Sequence, residues 1–313
     1  MVIGFSERMN ELTGFGNAPS AYRHRDNPHT KGEHLMPDRI AYMPLNTYPE
    51  AAPDAAILAA IGFAASLGCG LHVSTFAVDI PPVVSPLGGF LINVDGMAQA
   101  AEDRSKAECE RLKALIEGVA KSKPETQILN HRLVLGAALG AATSEARYFD
   151  LALLPWAAET QSAQDMSQAL VFDSGVPVIL VPPITIVGPV DHVAIAWDES
   201  RVAARALGDV LRFLPARGKV SVVTVRDEKA LNGTGLAQTL ASSLSLRGYE
   251  ANAVDLTLDG RSIATALQEA ALAEGAQLLA MGGFGHSRLR DFILGGATKG
   301  VLADLRLPVL LSH

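Results

Sequence analysis

The residues best suited to chemistry lie in one stretch. Met281-Gly282-Gly283-Phe284-Gly285-His286-Ser287 runs through Arg288 to Leu294 into Gly295-Gly296-Ala297-Thr298-Lys299-Gly300. The spacing is Gly282-x2-Gly285-x9-Gly295. Glycines let backbone N–H groups approach a ligand with no Cβ in the way. Gly295 and Gly296 stand before a predicted helix, whose first turn offers unpaired N–H groups and a positive dipole end. That combination suits an anion, phosphate above all. Thr298 and Lys299 add a hydroxyl and a charge, and equally fit ordinary helix-start chemistry. A tight structural turn would use the same glycines. The stretch is neither a Walker A loop nor a dinucleotide GxGxxG after a first strand.

Other candidates carry less. Asp198 either reads a ligand or caps the helix starting near Ser200, since Asp is a favoured N-cap. His286 has no nucleophile or carboxylate visibly paired with it, so a general-base role has little support. Arg288, Arg290 and Lys299 suit a solvated helix face or phosphate screening. Ser200 lacks a surrounding GxSxG, and Gly136-x3-Gly140 reads as close packing. Cys69 and Cys109 show no CxxC spacing, which argues against a zinc site or disulfide framework and fits a reducing cytoplasm.

Alternating elements must position these residues. From Asp38 onward, strands are predicted at Arg39–Pro44, Gly70–Ala77, Thr126–Val134, Asp150–Pro155 and Val176–Val181. Helices fall between them, including a long amphipathic one over Met97–Ala120 with Ala101, Ser105, Cys109, Leu112, Leu115, Ile116 and Val119 on its apolar stripe. The order then repeats, with strands at Asp191–Trp197, Val220–Val225, Ala251–Leu256, Ala276–Met281 and Pro308–Leu311. Ile40-Ala41-Tyr42-Met43 echoes Val193-Ala194-Ile195-Ala196, and Pro177-Val178-Ile179-Leu180 echoes Pro308-Val309-Leu310-Leu311. The expected fold is α/β: two tandem open parallel sheets of the Rossmann-like type, each of about five strands covered by helices. The expected divisions are a disordered extension over 1–36, a first domain over 37–183 and a second over 184–313. Met36 is an alternative start.

Composition agrees with buried sheets. Of 313 residues, 49% are hydrophobic and only 19% charged, against about 25% charged in typical domains. No formal charge falls between Asp54 and Asp79, but Gly68, Gly70 and His72 break that run into a helix-turn-strand unit rather than a membrane span. The net charge of -7 argues against nucleic acid. No secretory signal opens the chain.

The glycine spacing, with Leu278-Leu279-Ala280-Met281 before it and Pro308-Val309-Leu310-Leu311 after, resembles the signature of the universal stress protein family. The resemblance covers both repeats as a tandem arrangement, and the motif occurs in the second. It implies a stress-response or regulatory role and a ligand that is ATP or another adenine nucleotide, with or without Mg. The implied contacts are Ala196, Asp198, Val225, Met281, Gly282, Gly285, His286, Ser287, Gly295, Gly296, Ala297 and Thr298. Asp198 would read the adenine edge, Val225 would touch the base, and the glycine loop would wrap ribose and phosphates. Gly296 departs from the Ser or Thr usual after the last glycine, while the backbone donors remain.

The first repeat departs further. Its fourth strand is followed by Pro155-Trp156-Ala157-Ala158-Glu159-Thr160-Gln161, without glycine, and Leu45 is the position matched to Asp198. One nucleotide site per chain is therefore expected, with the first repeat as a built-in partner. In this family the last strand forms a dimer contact, which a tandem chain can satisfy by pairing Val176–Val181 with Pro308–Leu311. A homodimer of whole chains stays open. No catalytic residue or metal ligand set is assigned, and slow ATP hydrolysis stays open. The other classes are a ligand-free interaction module and an adenylate-using enzyme, whose SGGxDS-type loop is missing from Ala196-Trp197-Asp198-Glu199-Ser200.

Overall fold

Short β-rich runs flanked by proline, glycine and capped helices fold as the alternation requires. The structure is a computed structural model and describes residues 38–82, 93–120, 125–157, 160–184, 188–227, 234–283 and 296–313. The expected extension over 1–36 lies outside the described residues. The first half contains β1 (Ile40–Asn46), α1 (Asp54–Ser66), β2 (Gly70–Asp79), α2 (Val94–Ala120), β3 (Thr126–Val134), α3 (Ala138–Ala146), β4 (Leu151–Pro155), α4 (Gln161–Ala169) and β5 (Val178–Val181). The second contains β6 (His192–Ala196), α5 (Arg201–Val210), β7 (Lys219–Val225), α6 (Leu236–Leu246), β8 (Glu250–Leu256), α7 (Ile263–Ala273), β9 (Leu278–Gly282), α8 (Gly296–Ala303) and β10 (Val309–Ser312). A π turn over Leu170–Ser174 continues α4 and ends on left-handed Gly175, where glycine carries no Cβ penalty.

The strands form one sheet in the order β3-β2-β1-β4-β5-β10-β9-β6-β7-β8. Neighbours within each half are parallel, and β9 also pairs parallel with β10. The junction of the halves is antiparallel, with Val309 opposite Leu180, Leu310 opposite Ile179 and Leu311 opposite Val178. The inner strands are buried on both faces, which explains their near-continuous apolar runs. Each face has its own core. One holds Met43, Ile57, Ile61, Leu112, Ile179, Val210, Val222 and Leu310; the other holds Tyr42, Leu154, Trp156, Leu180, Leu267, Leu279 and Val309. Both cores draw on both halves, so burial crosses the junction.

Two polar clusters inside the sheet are tied by hydrogen bonds. The Glu145 carboxylate of α3 accepts from Tyr42 Oη at 2.9 Å and Ser74 Oγ at 2.9 Å. His72 Nε2 lies 3.3 Å from its other oxygen, and His131 Nε2 lies 3.7 Å from Oε2. Burial works to raise its pKa, but bonds from His72, Ser74 and Tyr42 and the nearby His131 outweigh it and hold the carboxyl below its ordinary value. In the second half, His192 Nε2 meets Ser221 Oγ at 2.9 Å, and Asn252 Nδ2 donates to Glu274 Oε2 at 2.9 Å.

Candidate functional site

In open α/β sheets, ligands bind beyond the carboxyl ends of strands where the strand order turns. In the second half that point lies between β6 and β9, with β7 beside them. Ala196 ends β6, Val225 ends β7, and Met281 and Gly282 end β9. Met281 and Val225 are buried, at 4% and 7% exposure, while Ala196, Asp198 and Gly282 are half-buried. These five come together at one end of three neighbouring strands. Ala297 and Thr298 open α8, which begins at Gly296; Thr298 is buried in its first turn. Gly285, His286, Ser287 and Gly295 lie outside the described residues.

Asp198 and Ser200 divide the work at the start of α5. Ser200 is the N-cap, its hydroxyl accepting from Ala203 N. Asp198 Oδ1 accepts from Ser200 N at 3.0 Å, a short turn that tolerates the positive φ of 60° at Glu199. Gly282 is held to glycine by this helix start. A Cβ there would lie 2.5 Å from Val202 Cγ2 and 2.8 Å from Ala203 N. The first turn of α5 therefore presses directly on the end of β9. Gly300 has a packing reason: a Cβ would lie 2.7 Å from Ala264 Cβ of α7.

Hydrogen-bond register equates the halves and corrects the match to Asp198. Pro44 lies opposite Ser74 as Ala196 lies opposite Val223. Two residues on, Asn46 takes the place of Asp198 and Phe76 that of Val225, so the earlier match to Leu45 was one residue short. Trp156 N donates to Val181 O at 2.8 Å, and Gly283 N to Ser312 O at 2.8 Å, which places Trp156 where the second half has Gly283. The Trp156 indole donates to Leu302 O at 3.1 Å, near the end of α8. The Asn46 and Trp156 roles escaped sequence reasoning, although Asn46 sits in the telling place just after a predicted strand.

Among the described residues, no group of three His, Cys, Asp or Glu could hold a metal ion, and no helix is long and apolar enough to cross a membrane.

The sheet and its strand-end site define an α/β protein of the Rossmann-like, switch-point class. Residues 189–313 match the model of the Universal stress protein family. The second half is thus similar to that family in sequence. The crystal structure of a universal stress protein from Archaeoglobus fulgidus DSM 4304 has the same fold, with a TM-score of 0.63 at 16% identity over 87% of this chain and 95% of that one. A functionally unknown protein from Pseudomonas aeruginosa PAO1 matches at TM-score 0.47 and 11% identity, over 90% of this chain and 94% of its own. Universal stress protein UspA from Lactobacillus plantarum matches at TM-score 0.30 and 12% identity, over 40% of this chain and 98% of its own. No curated protein matches the sequence.

Proposed function

We propose that the second half, 184–313, binds ATP or another adenine nucleotide and that the chain acts in a stress response or its regulation by binding rather than by turnover. The observation that carries this is the convergence of Asp198, Val225, Met281 and Gly282 at the ends of β6, β7 and β9. Asp198 would accept from the base edge, and Val225 and Met281 would flank the ring. The glycine loop and the start of α8, with Gly285, His286, Ser287, Gly295, Gly296, Ala297 and Thr298, would hold ribose and phosphates. Any Mg would ride on the phosphates, since no carboxylate set is assigned to it. The first half, 37–183, would act as a built-in partner through β5 and β10, in a cytoplasmic protein.

The test is to denature the purified protein and measure released adenine nucleotide by absorbance and mass, then titrate ATP calorimetrically. One site per chain is expected, and Gly285→Arg should abolish it without lowering the thermal midpoint. Unchanged affinity in that variant refutes the site. No released nucleotide and no ATP binding would favour the nucleotide-free interaction module.

A further inference from the structure

The strand end that opens the glycine-rich stretch of the second half rests on the first half. Gly283 follows β9 directly and donates its N–H to Ser312 O of β10 at 2.8 Å. A Cβ on Gly283 would lie 3.3 Å from Val171 Cγ1, in the π turn of the first half. Phe172, the next residue of that turn, meets the His313 ring edge-on, with centroids 4.9 Å apart. His313 in turn brings Nδ1 to 3.4 Å from Gly283 O, a distance at which Nδ1–H donates. Gly283 is therefore held through its N–H by β10, through its carbonyl by His313 and beside its Cα by Val171.

Both supports are themselves anchored. Arg147 of α3 donates to Asp173 O of the π turn at 2.9 Å, and π turns within helices recur at functional sites. The Ser312 hydroxyl donates to the buried Asp209 carboxylate of α5 at 2.9 Å. The contact is repeated in reverse across the junction, where the Trp156 indole donates to Leu302 O of α8. The end of β9 and α8 thus both touch the first half. Asp198 and Val225 stand at the ends of β6 and β7, which pair only with strands of the second half.

We infer that Phe172 and His313 are positioning residues for the phosphate side of the site. The π turn of the first half seats His313, and His313 pins the Gly283 carbonyl. A pinned carbonyl fixes the plane of its peptide, here the one that leaves β9. The choice of ligand rests on the nucleotide reading of the second half.

Calorimetric titration of ATP and, separately, adenosine into the full chain and three variants tests this. His313→Phe keeps a ring beside Phe172 and removes the donor. ATP affinity should fall by about threefold to tenfold, while adenosine, which has no phosphate, binds as before. His313→Asn puts an amide N–H where Nδ1 stands and should bind ATP more tightly than His313→Phe. Phe172→Leu keeps apolar bulk and should weaken ATP alone by about twofold to threefold. Equal losses of ATP and adenosine would mean a general structural role and overturn the inference. Unchanged ATP affinity in His313→Phe or Phe172→Leu overturns it too, as does a His313→Asn chain no better than His313→Phe. In each of those cases the parent still binds ATP, and the nucleotide reading stands. If the parent itself does not bind ATP, that reading falls and takes this inference with it.

Discussion

Asp198 has one task set by the fold and, under the proposed function, a second. Its Oδ1 holds the turn into α5 by accepting from Ser200 N, and an acceptor at this strand end is what an adenine edge needs. A carboxylate can take several donors at once. Asp198→Ala should therefore weaken ATP by about 1.5–3 kcal/mol, the range for a hydrogen bond to a charged group, and narrow the preference for ATP over GTP. Calorimetric titration of both nucleotides checks this, and unchanged selectivity would assign Asp198 to the turn alone. The candidate site was legible wherever a residue type carried its own signal: an Asp after a strand, glycines before a helix. It failed at Leu45, because Ile40-Ala41-Tyr42-Met43 and Val193-Ala194-Ile195-Ala196 are similar apolar runs that also align one residue apart. Such a slip turns every side chain to the opposite face. Leu45 is buried in the core at 2% exposure, while Asn46 at the end of β1 is half-buried.

At the scale of elements, α3 is fastened to three strands by Glu145. Tyr42 and Ser74 donate to it from β1 and β2, and His131 approaches from β3. Its carboxyl is held below its ordinary value, so the folded state binds its proton less readily than the unfolded chain does. The stability it contributes is complete above the ordinary carboxylate range and is lost as pH falls through the depressed folded value. Glu145→Gln should be less stable than the parent at neutral pH by about 1–2 kcal/mol, with the gap closing as acid protonates the parent. Urea unfolding of both proteins across that range measures it; a gap independent of pH would refute the assignment. Element order was readable because glycine, proline and the shift between two-residue and helical periods punctuate the chain. The Glu145 cluster was not, since it joins residues far apart in sequence through packing. The π turn after α4 was also hidden, because Ala163–Phe172 reads as one continuous helix and local pattern does not mark where the turn widens.

At the scale of the molecule, residues 36–313 make one compact unit, and the halves share both cores. The Trp156 indole satisfies the Leu302 carbonyl at the end of α8, one of the helix-end acceptors that lack an intrahelical donor. Arg212 of the second half lies 3.6 Å from Asp150 of the first, though so exposed a pair adds little. Calorimetry should show one unfolding transition, and Trp156→Phe should lower it as a whole by about 1 kcal/mol. Two transitions, with only one displaced, would mean the halves melt independently. The junction also constrains synthesis. β5 is four buried apolar residues, and its partner β10 begins only at Val309. At about 5–20 residues per second, a nascent first half waits on the order of ten seconds with an unpaired sheet edge. Such an edge is a template for pairing with other chains, so the interval before β10 arrives is when neighbouring ribosomes on one message put this chain at greatest risk of mispairing.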